Sequence, residues 1–161
     1  MAKNRKPRPS YHQGIYKPRY PEKNINKTPI EYRSQLELDY MWRIDNSPNI
    51  TRWGSEVVFV PYTHPLKKKP SQYWTDLYIE TKSHGPIVVE IKPQKEITAI
   101  VEGKSPQPRK NKKQTTFIYE MKMFLINKAK WQAASDFCRA RNWAFITVSE
   151  AHLKENRVPF L

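Results

Sequence analysis

Apolar residues fall into a short series of periodic stretches separated by polar ones. In residues 31–45 (EYRSQLELDYMWRID), Leu36, Tyr40, Met41 and Ile44 recur at helical spacing. Ser34 followed three positions later by Glu37 fits a capping box, which predicts a helix starting near Ser34 and ending before Pro48. Residues 53–62 (WGSEVVFVPY) and 72–81 (QYWTDLYIET) are rich in β-branched and aromatic types and predict two strands joined by the basic loop THPLKKKPS. KSHG supplies a turn into GPIVVEIK, and the three strands then read as an antiparallel meander. Residues 93–113 turn polar and basic and predict a flexible loop. A long helix is expected over about 115–141, with Ile118, Met121, Phe124, Leu125 and Ala129 as its apolar positions. WAFITV (143–148) predicts a last strand, and residues 149–155 a small terminal helix. The order helix, three strands, helix, strand, helix is that of an α/β domain with a mixed sheet.

Residues 1–28 lack apolar periodicity and hold eight Lys or Arg, one Glu, four Pro and three Tyr (Tyr11, Tyr16 and Tyr20). Such a stretch cannot offset its ordering entropy by itself, so it predicts an extended basic arm that becomes ordered only along the domain, a partner or DNA. The remainder, 29–161, is expected to form a single domain carrying the basic loop at 93–113.

Charge sharpens this picture. Twenty-nine Lys plus Arg stand against 15 Asp plus Glu, for a formal net charge of +14. So basic a chain predicts a polyanionic partner, nucleic acid first. Lys67, Lys68 and Lys69 in one loop and Arg109, Lys110, Lys112 and Lys113 in the other are candidates for phosphate contact; solvated charge without a specific task is the competing reading. One cysteine, Cys138, excludes an intramolecular disulfide and a four-cysteine zinc site. No apolar run reaches a membrane span and no signal peptide is visible, so the expectation is a soluble cytoplasmic protein. His12, His64, His84 and His152 show no metal-ligand spacing, and Cys138 reads as a buried core thiol.

The chemistry is concentrated in IVVEIKPQK. Glu90 and Lys92 share one face of an apolar strand, which suits either an edge strand with its polar face in water or a site needing a carboxylate beside an ammonium. Asp76 decides between them. If its strand pairs antiparallel with the next through the turn at 83–85, Asp76 and Glu90 come close. Two converging carboxylates repel, and a hard divalent cation such as Mg²⁺ relieves that repulsion. Lys92 could then position or help deprotonate a water, or neutralise a phosphate.

Asp76, Glu90 and Lys92 in this order resemble the catalytic motif of the PD-(D/E)XK nuclease family, which includes restriction enzymes and TnsA-type endonucleases. Thr75 stands where the motif name has proline. YRSQLE, PNITRWGSEVVFVPY, VVEIKPQKE and KAKWQAA together are similar to the head-completion nucleases of T-even-type tailed phages. The resemblance implies a restriction-endonuclease-like core and metal-dependent hydrolysis of phosphodiester bonds in double-stranded DNA. The metal, Mg²⁺ with Mn²⁺ as a substitute, would be held by Asp76, Glu90 and the Ile91 carbonyl. Lys92 would handle the nucleophilic water, and Glu37, the frequent extra acid of the first core helix, would support the metal. It implies a setting in phage head completion and head–tail joining after packaging, with portal or neck proteins as partners, in the host cytoplasm or retained in the virion.

Alternatives stay open. Glu37 has an innocent role as the cap of its own helix. Glu56 in WGSE either points outward or joins the chemistry. The whole fold could serve as a catalytically silent DNA-binding head-closure scaffold, or as a TnsA-like or junction-resolving endonuclease.

Overall fold

A computed structural model of the chain describes residues 12–161; the sequence readings on residues 1–11, Tyr11 among them, lie outside the described residues. In chain order the elements are β1 (Gly14–Tyr16), β2 (Ile30–Tyr32), α1 (Gln35–Asn46), β3 (Ile50–Ser55), β4 (Phe59–Thr63), β5 (Pro70–Trp74), β6 (Leu77–Thr81), β7 (Gly85–Ile91), α2 (Gln94–Val101), α3 (Gln114–Arg139), β8 (Ala144–Val148) and α4 (Glu150–Lys154). A central four-stranded sheet runs β3-β6-β7-β8, antiparallel except for the β7–β8 pair. This is a mixed α/β arrangement with the restriction-endonuclease-like order of elements.

β7 is therefore a central strand, and the edge-strand reading of IVVEIK fails. Ile87, Val89 and Ile91 face a core built with Tyr40, Met41 and Ile44 of α1, Trp53 of β3, and Phe160. Val88, on the other face, packs with Tyr78 and Cys138 of α3. Helix α1 starts where the sequence predicts. The Ser34 hydroxyl accepts the Glu37 N–H at 3.1 Å, and the stripe of Tyr40, Met41 and Ile44 is almost wholly buried. The buried Tyr40 hydroxyl donates to the Ser149 carbonyl at 2.8 Å, tying α1 to the end of β8.

Three expectations are corrected. The first two predicted strands are each broken, into β3 and β4 and into β5 and β6, and among the described residues β4 and β5 pair only with each other, as a hairpin. The breaks sit side by side. Thr75 sends both its N–H (3.0 Å) and its hydroxyl (3.1 Å) to the Val58 carbonyl, while the Glu56 N–H bonds the Asp76 carbonyl at 3.2 Å. A proline at position 75 would lack that N–H, which accounts for threonine there. Next, residues 93–113 are not all loop, because 94–101 form α2, started after Pro93 and closed by Gly103 at φ +65°. Finally, the apolar face of α3 lies elsewhere than predicted. Asn127, Trp131, Ala134 and Cys138 are its buried residues, whereas of the predicted positions Met121, Phe124 and Ala129 are half-buried and Ile118 and Leu125 are exposed. A 26-residue helix is about 39 Å long, more than twice the span of a five-residue strand, so its first half overhangs the sheet.

The described part of the N-terminal segment lies on the domain. β1 pairs antiparallel with β2, and the Tyr16 ring meets Trp53 edge-on at 5.8 Å. The buried Asp45 carboxylate accepts from the Tyr16 hydroxyl (2.9 Å) and from the backbone N–H groups of Arg19 (2.6 Å) and Tyr20 (3.3 Å). Ile25 then crosses β3, its N–H on the Trp53 carbonyl at 2.9 Å. At Gly54 a Cβ would meet the Ile25 side chain at 2.7 Å, so only glycine admits this crossing.

Candidate active site

The site forms where β6 begins and its antiparallel neighbour β7 ends. Leu77 pairs with Val89, and continuing that register by one position sets Asp76 across from Glu90. The Ile91 N–H donates to Asp76 Oδ2 at 2.7 Å, which aims the aspartate along the end of β7. Lys92 Nζ lies 2.9 Å from Glu90 Oε1 and 3.8 Å from Asp76 Oδ2, and also donates to the Ile91 carbonyl at 3.2 Å. The three side chains and the carbonyl that the sequence singles out thus converge.

Their electrostatics are those of a crowded, poorly solvated place. Burial, reinforced by the Glu90 charge, pushes the Asp76 carboxyl up to about 7; Lys92 and the Ile91 N–H oppose this, and Glu37 adds a little to it. Burial works against the Lys92 ammonium, but the Glu90 and Asp76 carboxylates outweigh it and hold Lys92 above lysine's usual range. Glu90 is only 4% exposed, and its Oε2 is a buried oxygen without a hydrogen-bond partner among the described residues. A buried, unpartnered carboxylate oxygen is expensive. An unsatisfied Glu90 oxygen beside an aspartate driven toward its protonated form fits a cation-binding role. Among the described residues no three His, Cys, Asp or Glu side chains make a metal cage by themselves. A cation here would rest on two carboxylates, the Ile91 carbonyl and water, a set suited to Mg²⁺.

A cleft opens beside these groups, lined by Glu31, Arg33, Glu37, Met41, Ser55, Glu56, Asp76, Leu77 and Ile91. Glu37 is in it. Its carboxylate accepts from the Arg33 N–H (2.7 Å) and the Ser34 hydroxyl (3.2 Å) in place of the Ser34 N–H that a capping box uses, so only the Ser34 half of the predicted box forms while Glu37 braces the turn before the helix from within the cleft. Glu56 also lines it, in the left-handed region at φ +51°, where a non-glycine residue is uncommon. A two-pronged ion pair from Arg33 (2.8 and 3.3 Å) holds it there. Glu31 and Arg33 had no signal in periodicity or spacing. Their place depends on the β1–β2 pairing, which brings residues 30–33 to the mouth of the cleft.

The basic residues spread outward from this centre. Lys67, Lys68 and Lys69 form the exposed tip of the β4–β5 hairpin. Arg109, Lys110 and Lys113 are exposed on the α2–α3 connection, whereas Lys112 is drawn inward by an ion pair to Glu120. Arg109 and Lys112 line a groove between α2 and α3 together with Lys95 and Lys104. Another acid, Glu150 of α4, accepts the Gln94 N–H at 3.1 Å and so fixes the start of α2 just beyond Lys92.

The mixed sheet, with an acid before one strand and Glu-Ile-Lys closing the next, defines a nuclease core of the PD-(D/E)XK type. The chain belongs to the family described as TnsA-like endonuclease N terminal, which matches residues 47–150. It is also 29% identical over 144 residues to the head completion nuclease of Enterobacteria phage T4, an alignment covering 86% of this chain and 94% of that protein. The family match contains Glu56, Asp76, Glu90 and Lys92 and begins after Glu37.

Proposed function

We propose that this protein is a Mg²⁺-dependent nuclease that hydrolyses phosphodiester bonds of double-stranded DNA in phage head completion. The observation that carries the chemistry is the meeting of Asp76, Glu90 and Lys92 around a buried carboxylate oxygen that no described group satisfies. The setting is supported by the similarity to a head completion nuclease. In that setting the protein would act on DNA at the head after packaging so that head and tail can join, with portal or neck proteins as partners. It would work in the host cytoplasm during assembly or be retained in the virion.

Asp76, Glu90 and the Ile91 carbonyl would hold the metal, with Mn²⁺ as a substitute. When bound, the ion lowers the pKa of a water and stabilises charge at the phosphorus. The Ile91 N–H fixes the Asp76 carboxylate, and burial of Glu90 in β7 fixes the other ligand. Lys92 directs its ammonium toward the same point, where it orients the attacking water and offsets phosphate charge. Glu37, at the start of α1 and inside the cleft, orients water from the opposite side. Lys67, Lys68, Lys69, Arg109, Lys110, Lys112 and Lys113 bind the DNA backbone.

The test is incubation of purified protein with supercoiled and linear duplex DNA, in Mg²⁺ or EDTA, beside Asp76→Asn and Lys92→Ala variants of checked fold. Metal-dependent cutting by the wild type alone supports the proposal. DNA binding without cutting under any divalent metal overturns it in favour of a silent head-closure scaffold.

A further inference from the structure

The β4–β5 hairpin has two different faces. Its inner face, with Val60, Tyr62 and Tyr73, packs on Ala133, Ala134 and Phe137 of α3. Its outer face is exposed along its whole length, and at the end nearest the cleft it carries two large aromatics. Phe59 and Trp74 are direct cross-strand partners, their rings 5.4 Å apart at 61°, and they remain 45% and 53% exposed. The fold does not require them there, because the hairpin is anchored through its other face. As a cross-strand pair the two rings add a small increment of stability to the hairpin, and left half exposed they also present a contiguous aromatic patch to a partner.

Position and charge narrow the occupant. Trp74 lies two positions before Asp76, and because the strand breaks at Thr75 and bends at Asp76 their Cα atoms are at most about 7 Å apart, within about two nucleotide rises along a DNA strand. At the far end of the ribbon stand Lys67, Lys68 and Lys69. That tip is held by hydrogen bonds from the His64 N–H to the Lys69 carbonyl and from the Lys68 N–H to the His64 carbonyl, each 2.9 Å. The outer ribbon thus offers π-surface at the end where its two strands rejoin the sheet at Glu56 and Asp76, and positive charge about 17 Å away, the combination that binds bases and phosphates of one polynucleotide.

We propose that Phe59 and Trp74 form a stacking platform for the base of a nucleotide next to the scissile phosphate, with the lysine tip on the backbone of the adjoining duplex. Inside an intact duplex both faces of a base are covered by its neighbours, so the platform selects DNA ends and short unpaired stretches. The word "scissile" rests on the nuclease reading, whereas the stacking itself is a property of binding and is tested without cleavage.

The experiment measures affinity of the full chain in EDTA for two duplexes of equal length, one with a short single-stranded overhang and one closed at both ends by covalent loops too tight to offer free bases. A 2-aminopurine in the overhang reports stacking through its fluorescence. The expected result is tighter binding to the open-ended duplex and quenching of the reporter. Phe59→Ala and Trp74→Ala should each weaken open-ended binding by about 5- to 150-fold, the loss of one base–aromatic stack. Affinity for the closed duplex should stay the same, and Trp74→Phe should keep most of the preference. Equal affinity for both duplexes overturns the proposal. So does equal weakening on both, or no effect of either alanine, which is what a protein-docking role for the pair predicts. A wild type that shows the preference but never cuts with Mg²⁺ would sink the nuclease reading and leave the platform standing.

Discussion

Replacing Asp76 by asparagine is expected to stabilise the metal-free protein while abolishing cleavage. Asparagine keeps the shape and an oxygen for the Ile91 N–H but removes one of two crowded negative charges. Moving a carboxyl from its ordinary 3.8 up to about 7 corresponds, at about 1.36 kcal/mol per decade, to at most about 4 kcal/mol of destabilisation by the ionised form. The side chain is 27% exposed, so solvent screening should reduce the realised gain to about 2 kcal/mol. The sign follows from linkage. A carboxyl whose native pKa lies above its unfolded value costs nothing when both states are protonated, and it costs progressively more as pH rises from about 4 to about 7. The advantage of Asp76→Asn should therefore be absent near pH 4 and complete near pH 8. Urea unfolding in EDTA at the two pH values measures it. Repeating the pH 8 titration with Mg²⁺ should stabilise the wild type, by about 2.7 kcal/mol at a hundredfold excess over Kd, and leave the variant unmoved. A variant less stable than wild type at pH 8, or equally shifted at both pH values, would refute the idea that carboxylate crowding stores free energy for cation binding.

Three further outcomes are expected. Glu37→Gln retains a side chain that can cap α1, so unfolding free energy should change by less than about 0.5 kcal/mol while nuclease rate falls; equal loss of both would reduce Glu37 to a cap. Tyr16→Phe removes one of three donors to the buried Asp45 and should cost about 1 to 2 kcal/mol in denaturant unfolding, with no change in cleavage by the folded fraction. Neutralising Lys67, Lys68 and Lys69 together should flatten the dependence of log K on log salt for duplex DNA by up to about 2.7, and a slope unchanged within error would return these lysines to mere solvation.

Local signals in the sequence account for what was legible. Helix α1 announces itself through Ser34, Glu37 and a tight apolar stripe. β7 could be read because six apolar or small residues surround one Glu, and the convergence of Asp76, Glu90 and Lys92 follows from a short turn and strand alternation. What was hidden depends on distant partners. The break at Thr75 and Asp76 exists because residues 56–58 come alongside them, and no periodicity within 72–81 records that. The buried face of α3 is chosen by the elements it packs on, β4, β8 and α2, so Asn127, beside α2, is buried while Leu125 is not. Helix α2 was detectable, since Pro93 at its start and Gly103 past its end are boundary residues, but its lysine-rich flanks read as loop. The docking of residues 14–25 could not be read either, because its anchor, Asp45, looks from the sequence like the solvated end of a helix.

The closure of the β4–β5 hairpin bears on how such a protein can diversify. Ser55 pairs directly with Leu77, and the Glu56 N–H meets the Asp76 carbonyl in the next row. The chain therefore leaves the central sheet and returns to it at one point, and the ribbon between is an excursion whose ends touch. Lengthening, shortening or exchanging that excursion leaves the closing row intact, and with it the two carboxylates. The ribbon and the carboxylates can then be inherited as separate parts and drift at different rates, even though only Thr75 separates Trp74 from Asp76.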